Sequence, residues 1–229
     1  MRFSIDRWRH VFKLDPDKPI ADNDLKRLCQ SGTDAVIVGG STGVTYENSR
    51  ALLMRLKRFS IPLVQEISDE MAVVPGFDLY LIPFVLNAGS IDWMVRRHQQ
   101  AVKKFDGLIP WERVIAEGYI ILNPEADAAR VTGAETELQD EDVVAYAQIA
   151  DRLLRLPVVY LEYSGRFGDP DLVNRVGEML TQARLFYGGG VDRADRAAQV
   201  AGAADTVIVG NIIYENMEKA LETVAAVKP

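Results

Sequence analysis

Eight short β-rich runs recur along the chain, each followed by a turn signal and most of them by a helical pattern. They predict strands at residues 10–14, 35–39, 62–67, 79–85, 118–122, 157–163, 184–187 and 206–209. Most runs are continuously apolar, as is required of parallel strands that are buried on both faces. Because eight such strands alternating with helices can close on themselves, the pattern predicts a TIM (β/α)8 barrel.

The connection between the third and fourth predicted strands, called the third connection below, departs from this pattern. Residues 68–78 form a short segment with a Pro-Gly pair near its end, so helix 3 is expected to be missing or reduced to a stub. The next helical pattern is long, since it covers residues 90–105 and is expected to resume as residues 111–117. A missing helix beside a long one predicts a groove on the outside of the barrel.

The composition limits the classes of function. A length of 229 residues matches one barrel, so a single domain over residues 1–229 is expected. The formal net charge of −7 argues against nucleic-acid binding, because phosphate backbones repel an acidic surface. The first ten residues carry no apolar signal region, and no later stretch is long and apolar enough to span a membrane, which predicts a cytoplasmic protein. The lone Cys29 can form no intrachain disulfide and no cysteine metal cluster.

Glycines follow the last two predicted strands. Strand 7 ends in Gly188, Gly189 and Gly190, and strand 8 is followed by Gly210 and Asn211. In TIM barrels the active site lies at the carboxyl ends of the strands, and the loops after strands 7 and 8 often hold a phosphate. Glycine lets backbone N–H groups approach such an anion, so this pair of loops predicts a phosphate site. The alternative is that these glycines serve only tight turns.

Two charged residues end the first strand. Lys13 and Asp15 share a face with Val11, because side chains alternate along a strand, and this places both charges at the barrel mouth. A lysine there suits a phosphate, and a carboxylate suits Mg²⁺, which takes its other ligands from water and substrate phosphates. A structural Lys–Asp ion pair that closes the first loop is the alternative.

Strand 6 brings a carboxylate to the same mouth. Tyr160, Glu162 and Ser164 point one way by the same alternation. Beside a phosphate site, Glu162 suits a general base or a group that orients a hydroxyl, because a carboxylate repels phosphate. A buried structural glutamate paired with Lys13 or an arginine is the alternative.

The loop after strand 2, residues 39–43, adds hydroxyl groups that can reach a metal or a diphosphate. The alternative is a plain loop that leads into a helix.

These motifs together resemble the geranylgeranylglyceryl/heptaprenylglyceryl phosphate synthase family, in particular its bacterial heptaprenyl branch. The resemblance covers almost the whole chain and is carried by residues 8–16, 37–41, 80–87, 118–124, 160–165, 187–190 and 209–211. It implies a prenyltransferase that forms an ether between the C3 hydroxyl of sn-glycerol 1-phosphate and a long all-trans polyprenyl diphosphate, heptaprenyl, with Mg²⁺ as cofactor. It also implies a homodimer, and a lipid product brings peripheral membrane contact into consideration.

The resemblance further implies roles for individual residues. Asp15 and Ser41 are expected to bind Mg²⁺, and Glu162 and Lys13 are expected to take part in catalysis. The expected contacts of sn-glycerol 1-phosphate are Lys13, Tyr160, Leu161, Glu162, Tyr163, Ser164, Gly165, Gly190, Gly210 and Asn211.

The length of the prenyl chain that the enzyme accepts from the donor is expected to depend on the space in the groove on the outside of the barrel. Ala101 is a small residue two to three turns into the long helix, and its methyl group would leave the groove open for heptaprenyl. The alternative is that Ala101 is only a good helix former packed on the barrel.

Other functions of the protein also stay open at this point. They are a geranylgeranyl donor in the same reaction, a Schiff-base aldolase or phosphosugar isomerase that uses Lys13, and a non-enzymatic barrel that binds a phosphorylated metabolite.

Overall fold

The sheet of this protein closes into a barrel of eight parallel strands, in which each strand pairs with its neighbour in sequence and β1 pairs with β8. The strands of this computed structural model are β1 (His10–Leu14), β2 (Ala35–Val38), β3 (Leu63–Glu66), β4 (Leu79–Val85), β5 (Val114–Ile121), β6 (Val158–Glu162), β7 (Arg184–Gly188) and β8 (Thr206–Val209). The predicted TIM barrel is therefore confirmed. The structure describes residues 4–228. The predicted domain and the ten N-terminal residues considered for a signal region therefore lie partly outside the described residues, at positions 1–3 and 229.

Nine α-helices are present within residues 4–228. They are α1 (Asp22–Cys29), α2 (Tyr46–Leu56), α3 (Arg96–Phe105), α4 (Asp127–Thr132), α5 (Asp140–Gln148), α6 (Pro170–Met179), α7 (Ala194–Ala201), α8 (Ile212–Glu215) and α9 (Met217–Val227). A π-helical turn, Ile149–Leu153, extends α5. In this described part of the chain, no helix is long and apolar enough to cross a membrane.

Alternation along the strands divides the apolar side chains into two layers. On β1, Val11 belongs to the barrel interior with Ile37 and Val64, whereas Phe12 and Leu14 pack in the layer between barrel and helices. The interior is apolar in its lower part, but Lys13, the next inward residue of β1, lines a cavity at the mouth. Strand periodicity thus separates the packed core from the polar residues above it.

The third connection contains no α-helix, as the sequence predicts. It holds only a 3-10 turn, Glu70–Ala72, before β4 begins. Ile82 and Phe84, on the outward face of β4, are only half-buried, because no complete helix covers them. The predicted gap beside the barrel is present.

The following helix is shorter than predicted. A 3-10 turn, Ile91–Trp93, precedes α3. Helix α3 has 10 residues and spans about 15 Å, whereas the sequence predicts a helix of 16 residues. The predicted helical continuation over residues 111–117 is wrong, since only Trp111–Arg113 is helical and β5 begins at Val114. Backbone pairing of residues 114–119 with β4 overrides the helical spacing there, and this tertiary effect is not visible in the local pattern.

Candidate active site at the barrel mouth

A cavity of about 460 Å³ opens at the carboxyl ends of the strands. Its walls come from the loops after β1, β2, β5, β6, β7 and β8, where active sites of TIM barrels lie. It brings together most of the site residues predicted from the sequence, namely Lys13, Asp15, Ser41, Tyr160, Glu162, Ser164, Gly165, Gly190, Gly210 and Asn211.

Two predicted contacts lie elsewhere. Leu161 is fully buried in the layer between barrel and helices, on the opposite face of β6. The ring of Tyr163 packs in the same layer, 5.8 Å from the ring of Tyr187 between centroids. The backbone N–H of Tyr163 donates to the carbonyl of Gly188, so this residue holds β6 against β7. Their side chains therefore have no direct access to a ligand in the cavity.

Lys13 is held by a glutamate that is not among the predicted site residues. Its Nζ lies 2.5 Å from Oε1 of Glu66 at the end of β3, and 5.6 Å from the ring centroid of Tyr160. Burial lowers the pKa of Lys13, but the negative charges of Glu66 and Glu162 outweigh burial and raise it above its ordinary value. The side chain is thus a fixed ammonium at the cavity floor. The ion pair expected as the alternative, with Asp15, is not formed.

Glu162 is positioned by two hydrogen bonds. Oε2 accepts from the hydroxyl of Tyr119 at 2.6 Å, and Oε1 accepts from the backbone N–H of Ser164 at 2.5 Å. Neither partner is basic, so Glu162 is not the directly paired structural glutamate that was the alternative. Each carboxylate oxygen keeps a lone pair, and the residue lines the cavity although it is almost fully buried. A carboxylate in this setting can orient a hydroxyl or accept its proton.

The glycines after β7 and β8 differ in what the fold demands of them. Gly189 and Gly190 have φ of 135° and 59°, and a methyl on Gly190 would lie 2.2 Å from the backbone nitrogen of Phe167. At Gly210 the nearest atom to such a methyl is the carbonyl oxygen of Lys13, at 3.6 Å. Packing thus requires glycine at the first two positions and permits alanine at the third. The absence of a side chain at Gly210 keeps the cavity wall open for a ligand.

Backbone donors are available on the same wall. Among the hydrogen bonds within the described residues, none is donated by the N–H groups of Gly189, Gly190 or Asn211. Two cations that are not among the predicted site residues also line the cavity. Arg196 donates to the carbonyl oxygen of Gly190 at 3.1 Å, and Lys18 donates to Oδ1 of Asn211 at 3.3 Å. This side of the mouth suits a phosphate.

Asp15 and Ser41 lie on the other side of the mouth. Oδ1 of Asp15 accepts the N–H of Asp17 at 3.0 Å and is so close to the loop after β2 that a methyl on Gly40 would lie 3.0 Å from it. The second oxygen, Oδ2, has no hydrogen bond within the described residues. One carboxylate and one hydroxyl are a sparse oxygen set, which suits a hydrated cation that also binds substrate phosphates. Nowhere in residues 4–228 do three or more His, Cys, Asp or Glu side chains form a metal cluster.

A further glutamate lies beneath the cavity. Glu117 of β5 is fully buried in the barrel interior, and neither carboxylate oxygen has a hydrogen-bond partner within the described residues. Burial, followed by the charge of Glu66, raises its pKa well above the ordinary value, which favours the protonated form of this side chain in the folded protein. Glu66, Glu117 and Tyr119 were not among the predicted site residues. Inward alternation along the predicted strands was the available signal for Glu66 and Tyr119, whereas Glu117 lies just before the predicted fifth strand, residues 118–122.

Ala101 lies on α3 and does not line the mouth cavity. It shares a helix face with His98 and Phe105, and the ring of His98 stacks on Phe84 of β4 with 4.3 Å between centroids. This face therefore points to the outer surface of β4 that the missing helix leaves uncovered. Ala101 itself is half-buried.

Comparison with known proteins identifies the family of this chain and supports its fold. Residues 3–228 match the PcrB family. A heptaprenylglyceryl phosphate synthase of Geobacillus kaustophilus (strain HTA426) is 55% identical over 221 residues, which cover 96% of this chain and 92% of that protein. A heptaprenylglyceryl phosphate synthase of Bacillus cytotoxicus is 51% identical over 226 residues and 99% of both proteins.

Solved structures support the barrel. The (S)-3-O-geranylgeranylglyceryl phosphate synthase from Thermoplasma acidophilum, in complex with sn-glycerol-1-phosphate, superposes with a TM-score of 0.85 at 22% identity, over 96% of this chain and 92% of that one. Orotidine 5′-phosphate decarboxylase from Pyrococcus horikoshii OT3 gives a TM-score of 0.60 at 15% identity, over 95% and 99%. At these identities the likeness concerns the fold alone. The family match over nearly the whole chain confirms the resemblance noted in the sequence, and the protein belongs to the PcrB family.

Proposed function

We propose that this protein is a prenyltransferase that joins a long all-trans polyprenyl group, heptaprenyl, to the C3 hydroxyl of sn-glycerol 1-phosphate. Diphosphate leaves the donor in this reaction, and the product is an ether. The observation that carries the proposal is the mouth cavity itself, which combines open backbone donors, a fixed ammonium and a buried carboxylate. The relatives of about half identity named heptaprenylglyceryl phosphate synthase support the choice of substrates.

The acceptor fits the wall formed by the loops after β7 and β8. In our proposal the N–H groups near Gly190 and Asn211 bind the phosphate, with the methyl-free surface of Gly210 between them. Lys13 contributes positive charge from the cavity floor without leaving Glu66. A phosphate anchored here directs the glycerol hydroxyls toward Glu162 on β6.

The chemical step then uses Glu162. As the bond between C1 of the donor and its diphosphate breaks, C1 gains cationic character, and the C3 oxygen of the acceptor forms the new bond to it. The hydroxyl proton passes to Glu162, which Tyr119 and the Ser164 N–H hold in place. The diphosphate leaves with the electron pair of the broken bond. Tyr160, Ser164 and Gly165 complete the wall around the acceptor.

Mg²⁺ is the proposed cofactor. Asp15, with one oxygen free of partners within the described residues, and the hydroxyl of Ser41 would hold it where the two sides of the mouth meet. The ion would supply positive charge that stabilises the leaving diphosphate. Asp15→Asn would remove the anionic ligand and keep the shape of the side chain, so we expect loss of turnover and retention of the fold.

The outer groove is the proposed site of the prenyl chain. Half-buried Ile82 and Phe84 form its floor, and the face of α3 that carries Ala101 forms one wall. A methyl group at this position leaves space for a chain longer than geranylgeranyl. This supports heptaprenyl as the donor, in agreement with the names of the relatives.

A Schiff-base aldolase that uses Lys13 is less well supported. Imine formation needs a neutral amine, whereas Lys13 is paired with Glu66 and its pKa is raised. The two functions are separated by incubating the protein with sn-glycerol 1-phosphate, Mg²⁺ and a ladder of prenyl diphosphates, followed by mass spectrometry. We expect a prenyl ether whose formation stops when the metal is chelated. A borohydride-trapped adduct on Lys13 would contradict this assignment.

We also propose a homodimer that contacts membranes peripherally. Leu153, in the π-helical turn, is 75% exposed and lies among the exposed apolar residues Ile149, Leu154 and Met179, which supports a protein contact there. Leu108, 78% exposed, and Trp111, 57% exposed, follow the basic end of α3 and support contact with anionic lipid. Light scattering should show a dimer that Leu153→Ser weakens, and Leu108→Ser should reduce sedimentation with anionic vesicles only. A strictly monomeric parent, or vesicle binding that Leu108→Ser leaves unchanged, would contradict these assignments.

A further inference from the structure

A second cavity of about 240 Å³ adjoins the mouth. The two cavities share Ser41 and Thr42, so the loop after β2 stands between them. The far wall of the second cavity comes from the turn before α3 and from the first turn of α3, with Trp93 and Arg97. A ligand in this cavity would therefore lie on the opposite side of Ser41 from the proposed acceptor.

Arg97 is the cationic side chain that lines the second cavity. Its guanidinium carbon lies over the ring of Trp93, 4.0 Å from the ring centroid, and this cation–π contact places the group at the cavity wall. No carboxylate within the described residues pairs with it. Asp69 also lines the cavity, but its carboxylate accepts the N–H of Met71 at 2.7 Å and makes no ion pair with Arg97. The neighbouring Arg96 is different, because it pairs with Asp92 at 2.9 Å and does not line the cavity.

The cations of the mouth are already engaged on the acceptor side. Lys13 is paired with Glu66, Lys18 contacts Asn211, and Arg196 contacts Gly190 and Asp192. Arg97 thus provides a planar set of N–H donors that has no hydrogen-bond or ion-pair partner among residues 4–228 and lines a cavity beside the proposed metal ligands. Such a fork is suited to two phosphate oxygens.

The position of Arg97 on α3 indicates in which direction a chain attached to a bound head group would run. Residues 97, 101 and 105 follow each other at intervals of four, so they form one row along the helix. An anionic head group bound at Arg97 would place an attached chain along Ala101 and then Phe105, above the uncovered part of β4. The length of that row, about 12 Å for eight residues, leaves the end of a long chain beyond the helix.

We propose that Arg97, stacked on Trp93, binds the diphosphate of the prenyl donor and fixes the end from which its chain enters the groove. This inference rests on the proposed function and deepens it, since it gives the donor a head-group site separate from the acceptor phosphate. The reaction centre then lies near Ser41, where the two cavities meet.

The test compares Arg97→Met with Arg96→Met, which removes the same charge one residue away. Calorimetry with inorganic diphosphate and Mg²⁺ measures the site directly, and steady-state kinetics gives KM for heptaprenyl diphosphate and for sn-glycerol 1-phosphate. For Arg97→Met we expect about tenfold weaker diphosphate binding and a matching rise in donor KM, which is the size expected for a lost charged hydrogen bond. The acceptor KM should change less than about twofold, and Arg97→Lys should recover part of the loss.

Two outcomes would overturn the inference. Equal effects of Arg97→Met and Arg96→Met would show a general charge effect, and a rise in acceptor KM without loss of diphosphate binding would place the acceptor phosphate here. Failure of the proposed function has a different signature. In that case the parent protein would form no prenylated product from any donor, while calorimetry of the two variants with diphosphate would still decide whether Arg97 binds it.

Discussion

The hydroxyl of Tyr119 on β5 donates a hydrogen bond of 2.6 Å to Oε2 of Glu162 on β6. Burial and then the charge of Glu162 raise the pKa of Tyr119 well above its usual value, so the hydroxyl keeps its proton and remains a donor. The two residues come from neighbouring strands whose inward positions are set by the sheet register, in which Tyr119 pairs with Tyr160 and Ile121 with Glu162. The barrel itself thus fixes the carboxylate that faces the cavity.

Glu162→Gln should lower kcat by roughly 100-fold or more and change KM for sn-glycerol 1-phosphate much less. The amide keeps the shape and can still accept a hydrogen bond from Tyr119, but it cannot take a proton. Steady-state kinetics on the purified variant measures both constants. Tyr119→Phe is the matched variant, since it leaves the carboxylate and removes only its support, and a smaller loss of kcat is expected. Unchanged kcat with lost acceptor binding in Glu162→Gln would restrict Glu162 to a positioning role.

Much of the fold follows from the sequence because strands buried on both faces leave a continuous apolar signal. The bounds of β1, β4 and β8 are predicted without error, and those of the other strands shift by one or more residues at an end. The absence of a full third helix is also predicted, because a short segment that ends in a Pro-Gly pair disfavours one. The start of β5 is missed because its pairing with β4 is a tertiary effect.

Less of the site than of the fold can be predicted from the sequence. Alternation places Lys13 and Glu162 at the mouth, but it cannot say which carboxylate from another strand meets Lys13. That depends on the stagger between strands, which brings Glu66 of β3 to Lys13. The neutral state of Glu117 is likewise invisible in the sequence, because it follows from complete burial without partners.

Gly210→Ala should fold normally and bind sn-glycerol 1-phosphate at least about tenfold more weakly, because the methyl fits the protein but occupies the surface proposed for phosphate. Thermal unfolding and acceptor KM measure the two effects. Gly202→Ala is the control, since the nearest atom to a methyl there is 3.7 Å away, against 3.6 Å at Gly210, and Gly202 does not line the cavity. Gly190→Ala should instead unfold at lower temperature, because its methyl would overlap backbone. Acceptor binding at the parent level in Gly210→Ala would remove the phosphate from this wall.

Glu117→Gln should stabilise the protein more at pH 8 than at pH 5. The folded protein keeps Glu117 protonated, whereas the unfolded chain releases that proton near the ordinary glutamate pKa of about 4.3. Rising pH above that value therefore favours the unfolded state of the parent, and stability is lost up to the raised folded pKa. Glutamine cannot ionise, so the difference in Tm between variant and parent should grow with pH. Glu222→Gln, at an exposed position of α9, serves as the control, and a pH-independent difference would contradict the raised pKa of Glu117.

Ala101→Trp should move donor preference from heptaprenyl toward shorter chains such as geranylgeranyl. The larger ring would fill the groove above β4, and overfilling a packed channel costs about 1–3 kcal/mol. The ratio of kcat/KM for the two donors measures the change. Val102→Trp is the matched variant, because Val102 is 37% exposed and lies on a different face of α3, and its ratio should equal that of the parent. If Ala101→Trp keeps the parent ratio, the residue does not line the path of the chain.

The proposed reaction is tested most directly by product analysis with the two enantiomers of the acceptor. The protein is incubated with Mg²⁺, heptaprenyl diphosphate and either sn-glycerol 1-phosphate or sn-glycerol 3-phosphate, and products are identified by mass spectrometry. A site with fixed positions for the phosphate and for Glu162 predicts the heptaprenyl ether of sn-glycerol 1-phosphate with release of one diphosphate, and little product from the enantiomer. The absence of any prenylated glycerol phosphate, with the protein folded and the metal present, would contradict the proposed function.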